Sequence, residues 1–135
     1  MAKTFIDTNL FVYALDQRDI KKHDIARRWI RDLSASSEAV VSTQVLQEFY
    51  SAATRKLGHD PLAIKQVVQR IALNELVVVE LTHIETAIDL CVLNQISFWD
   101  ALLFAAAKSA NCAIMLSEDL QAGSTIGGVR VSSPF

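Results

Sequence analysis

Glycine and proline are nearly missing from this chain, four and two respectively among 135 residues. So small a supply of breakers excludes a fibrous or low-complexity polypeptide and leaves an ordered one. Cysteine is as scarce. Cys91 lies in a helical apolar pattern and Cys112 beside an expected strand, so the pair supports neither a disulfide framework nor a zinc site and reads as buried thiols of a reducing compartment. No global excess of positive charge marks a nucleic-acid binder: 13 Lys plus Arg face 15 Asp plus Glu, for a formal charge of −2. Any basic surface must therefore be local. Long hydrophobic runs are also absent. The most apolar, Ala101 to Ala107, is too short to span a bilayer, and MAKTFIDTN lacks the apolar core of a signal peptide, so the expectation is a soluble, cytoplasmic protein with no membrane association. What the chain does have is apolar side chain, 51% of its residues. At this length that suits one compact domain, residues 1–135, with a true core.

Short β-branched runs alternate with segments of helical period, the pattern of an α/β domain with a parallel sheet. Strands are expected near Thr4 to Ile6, Ala39 to Val41, Leu76 to Leu81, Ala113 to Leu116 and Gly128 to Val131. The run Val77, Val78, Val79 reads as a strand covered on both faces. Ile25, Ala26, Trp29, Ile30 and Leu33 form a helical stripe, with Lys21, Lys22, Arg27, Arg28 and Arg31 largely off it as a solvated basic face. A second helix is expected from Thr43 to Lys56, ended by Gly58. Asp60 and Pro61 open a third, with Ile64, Val67, Val68 and Ile71 inward. Thr82 with Glu85 has the form of a capping box before Ile84, Ala87, Ile88, Cys91 and Val92. Ser97 begins a helix whose body, ALLFAAA, is apolar all round and so central. The closing SSPF reads as a loosely held end.

Four carboxylates sit where an unpaired charge is costly. Asp7, in FIDTN, is wedged between an apolar strand and an apolar helix; taken alone, it is best explained as a helix cap. Glu48 lies at the edge of an apolar helical stripe, where a boundary ion pair is the ordinary reading. Asp100 falls in the first turn of its helix, where complementing the helix dipole brings only ~0.3 to 1 kcal/mol, against several kcal/mol for burying an unpaired ion. Asp119 follows a strand beside Glu118, and the residues leave open which of the two matters. In a parallel sheet, residues after the strands and at the start of the return helix meet at one edge, where ligands bind. Carboxylates gathered there repel unless compensated. A hard divalent cation, Mg²⁺ or Mn²⁺, is the natural compensation, and the scattered His23, His59 and His83 offer no zinc site.

In this order, FIDTNLFVYALD, the Glu of QVLQEFYSAATRKL, SFWDALLFAAA and LSEDLQAG resemble the PIN-domain ribonucleases, and among them the VapC-type toxins of toxin-antitoxin pairs. The resemblance implies a three-layer α/β/α sandwich with a central parallel sheet of four to five strands. It also implies a metal-dependent endoribonuclease acting on RNA such as tRNA or mRNA, silenced by a cognate antitoxin and often a homodimer. It maps the acidic, metal-holding site onto Asp7, Glu48, Asp100 and Asp119, choosing Asp119 over Glu118, with Asn9 and Ser117 as orienting partners. Many relatives have Thr where Ser117 stands, and Ser keeps the hydroxyl. Arg55, two helical turns beyond Glu48, is a candidate RNA contact, with Lys56 and the basic residues of the first long helix behind it.

Other readings fare worse. A haloacid-dehalogenase-like phosphatase needs a second Asp where Asn9 stands, and a receiver needs one where Thr82 stands. A non-catalytic PIN-like module that binds RNA or protein is the remaining alternative, although a pure binder gains nothing from carboxylates set near phosphate.

Overall fold

The computed structural model describes residues 2–135. Strand β1 (Thr4–Ile6) leads into helices α1 (Thr8–Leu15) and α2 (Ile20–Ala35), then β2 (Ala39–Ser42). Helix α3 (Thr43–Ser51) continues as a π-helical segment, Ala52–Lys56, before α4 (Pro61–Ile71) and β3 (Glu75–Val77). Helices α5 (Leu81–Asn94) and α6 (Phe98–Ser109) precede β4 (Ile114–Leu116), β5 (Thr125–Ile126) and β6 (Val129–Ser132). The sheet order is β3-β2-β1-β4-β6-β5. All pairs are parallel except β5 with β6.

This order reverses once. From β1 the chain steps outward to β2 and β3, then returns past β1 to β4. Because parallel crossovers are right-handed, the reversal puts α1 to α4 on one face of the sheet and α5 and α6 on the other, giving three layers. The core between them holds Phe5, Ile6 and Val41 of the strands, Leu10 and Phe49 of one helical layer, and Phe104 of the other. The expected central helix is borne out, since every residue from Ala101 to Ala107 is buried. No single helix among the described residues is long and apolar enough to cross a membrane. Burial pushes the Cys112 thiol up to about 12, as an inert core thiol requires.

Several expectations are corrected. The sheet has six strands, because Gly127 and Gly128, both at positive φ, turn β6 back on the two-residue β5. Two residues carry no readable alternation, and the glycine pair is a hairpin turn rather than a strand start. Strand β3 stops at Val77, and Val78 is 56% exposed, because this strand lies at the sheet edge. Helix α5 therefore starts earlier than Thr82: Glu80 caps it, and the box is closed by His83, whose Nδ1 accepts from the Glu80 N–H. Of the α5 stripe, Ala87 is buried, whereas Ile88 and Val92 face outward. The tail is held: the Trp29 indole donates to the Pro134 carbonyl at 3.0 Å, and Phe135 packs edge-on against Tyr13. Asp60, Pro61 and Ser97 cap α4 and α6 as expected.

Phe104 is 1% exposed. Phe104→Ala should lower the unfolding free energy by about 3–5 kcal/mol in urea titrations.

Candidate metal centre

The two strands flanking the point of reversal are β1 and β4, in register with Ile6 opposite Leu116. The residues that follow each, Asp7 and Ser117, therefore emerge side by side at the C-terminal edge, where open α/β sheets bind ligands. The Ser117 hydroxyl donates to Asp7 Oδ2 at 2.7 Å, and the Thr8 N–H donates to Asp7 Oδ1 at 2.7 Å. Ser117 Oγ also accepts from the Asp119 and Leu120 N–H groups, at 3.2 and 3.4 Å. One donor and two acceptor sites are all that a hydroxyl has, so Ser117 is fully used. Asp7 is both the cap of α1 and a buried acid of the site.

The other acids come from three further elements. Asp119 follows β4 and accepts from the Asn9 side-chain amide at 3.0 Å. Glu48, on α3, accepts from the Thr8 hydroxyl at 3.0 Å. Asp100 lies in the first turn of α6, and its backbone N–H donates to the Ser97 cap hydroxyl at 3.1 Å. Asp7, Glu48, Asp100 and Asp119 line one cleft of about 670 Å³, together with Thr8, Asn9, Arg55 and Lys56. The structure thus brings together all four acids, Asn9 and Arg55, while Ser117 stands behind Asp7, fully buried.

Glu118 also lines the cleft, but Lys22 Nζ pairs with it. Lys22 in turn lies 5.0 Å from the Tyr13 ring centroid and 5.1 Å from that of Phe135. This cation was expected on the solvated face of α2. It turns inward because an acid and two aromatic faces are there to receive it. Glu118 is answered by that ion pair, whereas Asp119 is held by a neutral amide.

Sequence reasoning placed Lys22 only among the weaker candidate RNA contacts on a solvated face, left the role of Thr8 open, and missed Gln44. Gln44 is buried, with its amide N–H₂ directed at the Trp99 carbonyl (3.0 Å) and at Glu48 Oε2 (3.4 Å). Its place four residues before Glu48, on the same helix face, was the available signal.

Burial is the chief influence on Asp7 and raises its carboxyl above the ordinary value; the Ser117 and Thr8 hydrogen bonds pull it back, and the charges of Glu48 and Asp119 raise it again. Desolvation and like charge together make an ionised Asp7 unfavourable until a cation arrives. The donor set fits a hard cation. It is all oxygen, and the buried Asn9 Oδ1 has no hydrogen-bond partner among the described residues. No group of three Asp, Glu, His or Cys side chains among the described residues forms a ready-made cage. An all-oxygen donor set is the kind that hard divalent cations take, whereas zinc favours nitrogen and sulfur.

Two stability outcomes follow. Because the folded-state pKa of Asp7 lies above its unfolded value, the fold is favoured by Asp7 below the unfolded value and loses that support as pH rises through the folded one. In EDTA at pH 7, Asp7→Asn should therefore raise the denaturation midpoint, and the gain should vanish near pH 3. Ser117→Ala leaves Asp7 Oδ2 and two amides without their partner, and should cost about 1–3 kcal/mol in the same titration.

The PIN domain family model matches residues 4–123. No curated protein sequence gives a significant match. Among solved structures, VapC20 of Mycobacterium tuberculosis, a sarcin-ricin loop cleaving toxin, superposes with a TM-score of 0.66 at 24% identity, over 84% of this chain and 87% of that one. A toxin-antitoxin complex from Klebsiella pneumoniae gives 0.73 at 15% identity over 98% of both chains. DNA-bound VapBC from Salmonella typhimurium gives 0.71 at 15% identity over the full length of both. At these identities the likeness to the solved structures is one of fold. The family match runs from β1 through all four acids of the cleft, and the chain belongs to the PIN-domain family.

Proposed function

We propose that the chain is a metal-dependent endoribonuclease, the toxin of a toxin-antitoxin pair, working with Mg²⁺ or Mn²⁺. The observation that carries the reading is the convergence of Asp7, Glu48, Asp100 and Asp119 on one open cleft at the reversal point of a PIN-family sheet. Asp7 and Asp100 would hold the cation most directly, with Asp119 completing or bridging the site and Glu48 taking a second ion or orienting water. When bound, the cation supplies a lowered pKa for water and neutralises charge developing on the phosphate. Ser117 and the Thr8 N–H fix the Asp7 carboxylate, and Asn9 fixes Asp119, so both stay aimed without reorganisation. Thr8 does the same for Glu48. Water adds to the phosphorus and the P–O3′ bond breaks, leaving a 5′ phosphate and a 3′ hydroxyl.

Two matched complexes are toxin-antitoxin or VapBC assemblies, which supports a cognate antitoxin as partner. A second copy of the chain is the other expected partner, and the exposed Ile88, Val92, Leu93 and Trp99 are apolar surface for such a contact to cover.

With Mg²⁺, the purified protein should cut single-stranded RNA and stop in EDTA. Asp7→Asn and Asp100→Asn should each slow cleavage by at least about 100-fold, the upper range for loss of a mere supporting group at a metal site, with circular dichroism unchanged. Full activity in both variants refutes the assignment. RNA binding without cleavage in either metal would make the chain a binding module.

A further inference from the structure

The acid cleft poses a problem for its own substrate. Five carboxylates line it, counting Glu118, and the cationic side chains on its walls are Arg55 and Lys56. Lys22 nearby is taken by Glu118. A cation can screen the phosphate being cut, but the phosphates flanking it need other positive charge.

Both free cations belong to the π-helical segment Ala52–Lys56, whose i to i+5 bonding is seen in the Leu57 N–H donating to the Ala52 carbonyl at 3.2 Å. In a regular α-helix Lys56 would sit about 80° around the axis from Glu48. A π turn takes more residues, so each rotates the chain less, and Lys56 swings back toward the Glu48 face. Arg55 and Lys56 consequently stand on the same cleft wall.

Lys56 also lines a second recess of about 490 Å³, whose walls include Arg18, His59, Asp16, Leu15 and Leu57. The Asp16 carboxylate is answered by Arg18, through Nε at 3.0 Å and Nη2 at 2.8 Å. The Arg18 side chain remains 78% exposed, with further N–H groups turned to solvent. Lys56 makes no ion pair among the described residues. The recess is thus net positive and joins a net negative cleft through a shared lysine.

We propose that single-stranded RNA leaves the acid cleft across Arg55 and Lys56 and enters the Lys56–Arg18–His59 recess, which holds a phosphate flanking the one that is cut. This rests on the ribonuclease reading above, and its contacts go to the backbone, so it confers grip and direction rather than base preference. Within the π turn, Lys56 is the residue that lines both the cleft and the recess.

The test uses the Asp7→Asn protein, whose cleavage should be slowed at least about 100-fold on the reading above, and anisotropy of a fluorescein-labelled single-stranded RNA at fixed Mg²⁺ across a KCl series. Lys56→Ala and Arg18→Ala should each weaken binding several-fold for any sequence and reduce the slope of log affinity against log salt by about 0.7. Asp16→Asn should tighten binding, because it removes the one anion of the recess. Lys65→Ala, at an exposed position on α4 that lines neither the cleft nor the recess, serves as the control and should change neither quantity. Unchanged affinity and slope in both cation variants overturns the proposal while leaving the ribonuclease reading intact. Loss of a co-purifying antitoxin with RNA binding retained also overturns it, and assigns the recess to the protein partner. An Asp7→Asn protein that binds no RNA at all removes the reading beneath it.

Discussion

One hydrogen bond, from the Ser117 hydroxyl to Asp7, ties the site to the fold. It spans the seam between β1 and β4, the adjacent strands whose connection runs through the whole intervening chain. Its donor accepts in turn from the Asp119 and Leu120 amides, so the same oxygen that restrains the buried acid also shapes the loop carrying the exposed one. A methyl group at that position would satisfy none of the three. Sheet register decides that Asp7 and Ser117 are neighbours, and Ser117 decides which way Asp7 points.

The cleft costs the fold stability, and the layers around it offset that cost. A carboxylate that is 7% exposed with two other acids beside it is unfavourable. Against this stand Phe5, Ile6, Leu10, Phe49 and Phe104, all essentially removed from water at roughly 1.5–3 kcal/mol for a full burial. The arrangement of charges limits the damage. Glu118 is matched by Lys22 and Asp16 by Arg18, whereas Asp7, Glu48, Asp100 and Asp119 form no ion pair among the described residues. Like charges gathered without counter-charge favour the arrival of a cation.

Much of this was legible in the sequence because the signals were local. Asp60 before Pro61, Ser97 before an apolar helix, and the all-apolar run Ala101 to Ala107 each act within a turn or two, and each is found where expected. The four acids were legible for a different reason: a charge among apolar residues is conspicuous whatever it contacts. What escaped notice depends on partners distant in the chain. Lys22 looks like any surface lysine until Glu118 arrives from 96 residues away. Pro134 looks like a frayed end until Trp29 donates to it across 105 residues. The start of α5 was misplaced because two overlapping caps compete there, and the edge position of β3 lets the chain leave the sheet early. The π turn has no readable composition at all, since AATRK suits an α-helix equally well.

The strand order has a temporal meaning as well. Ser117 is made 110 residues after Asp7, and the bond between them closes only when β4 slots in beside β1. Until then β1, β2 and β3 can pair among themselves, but the acid edge lacks its hydroxyl, Asp119 and one of its two walls. Long-range closure of this kind is slow relative to local pairing. A ribosome-bound chain is therefore without the assembled cleft until β4 and the loop carrying Asp119 have been made, and whatever chemistry the four acids perform is withheld from the machinery making them until then.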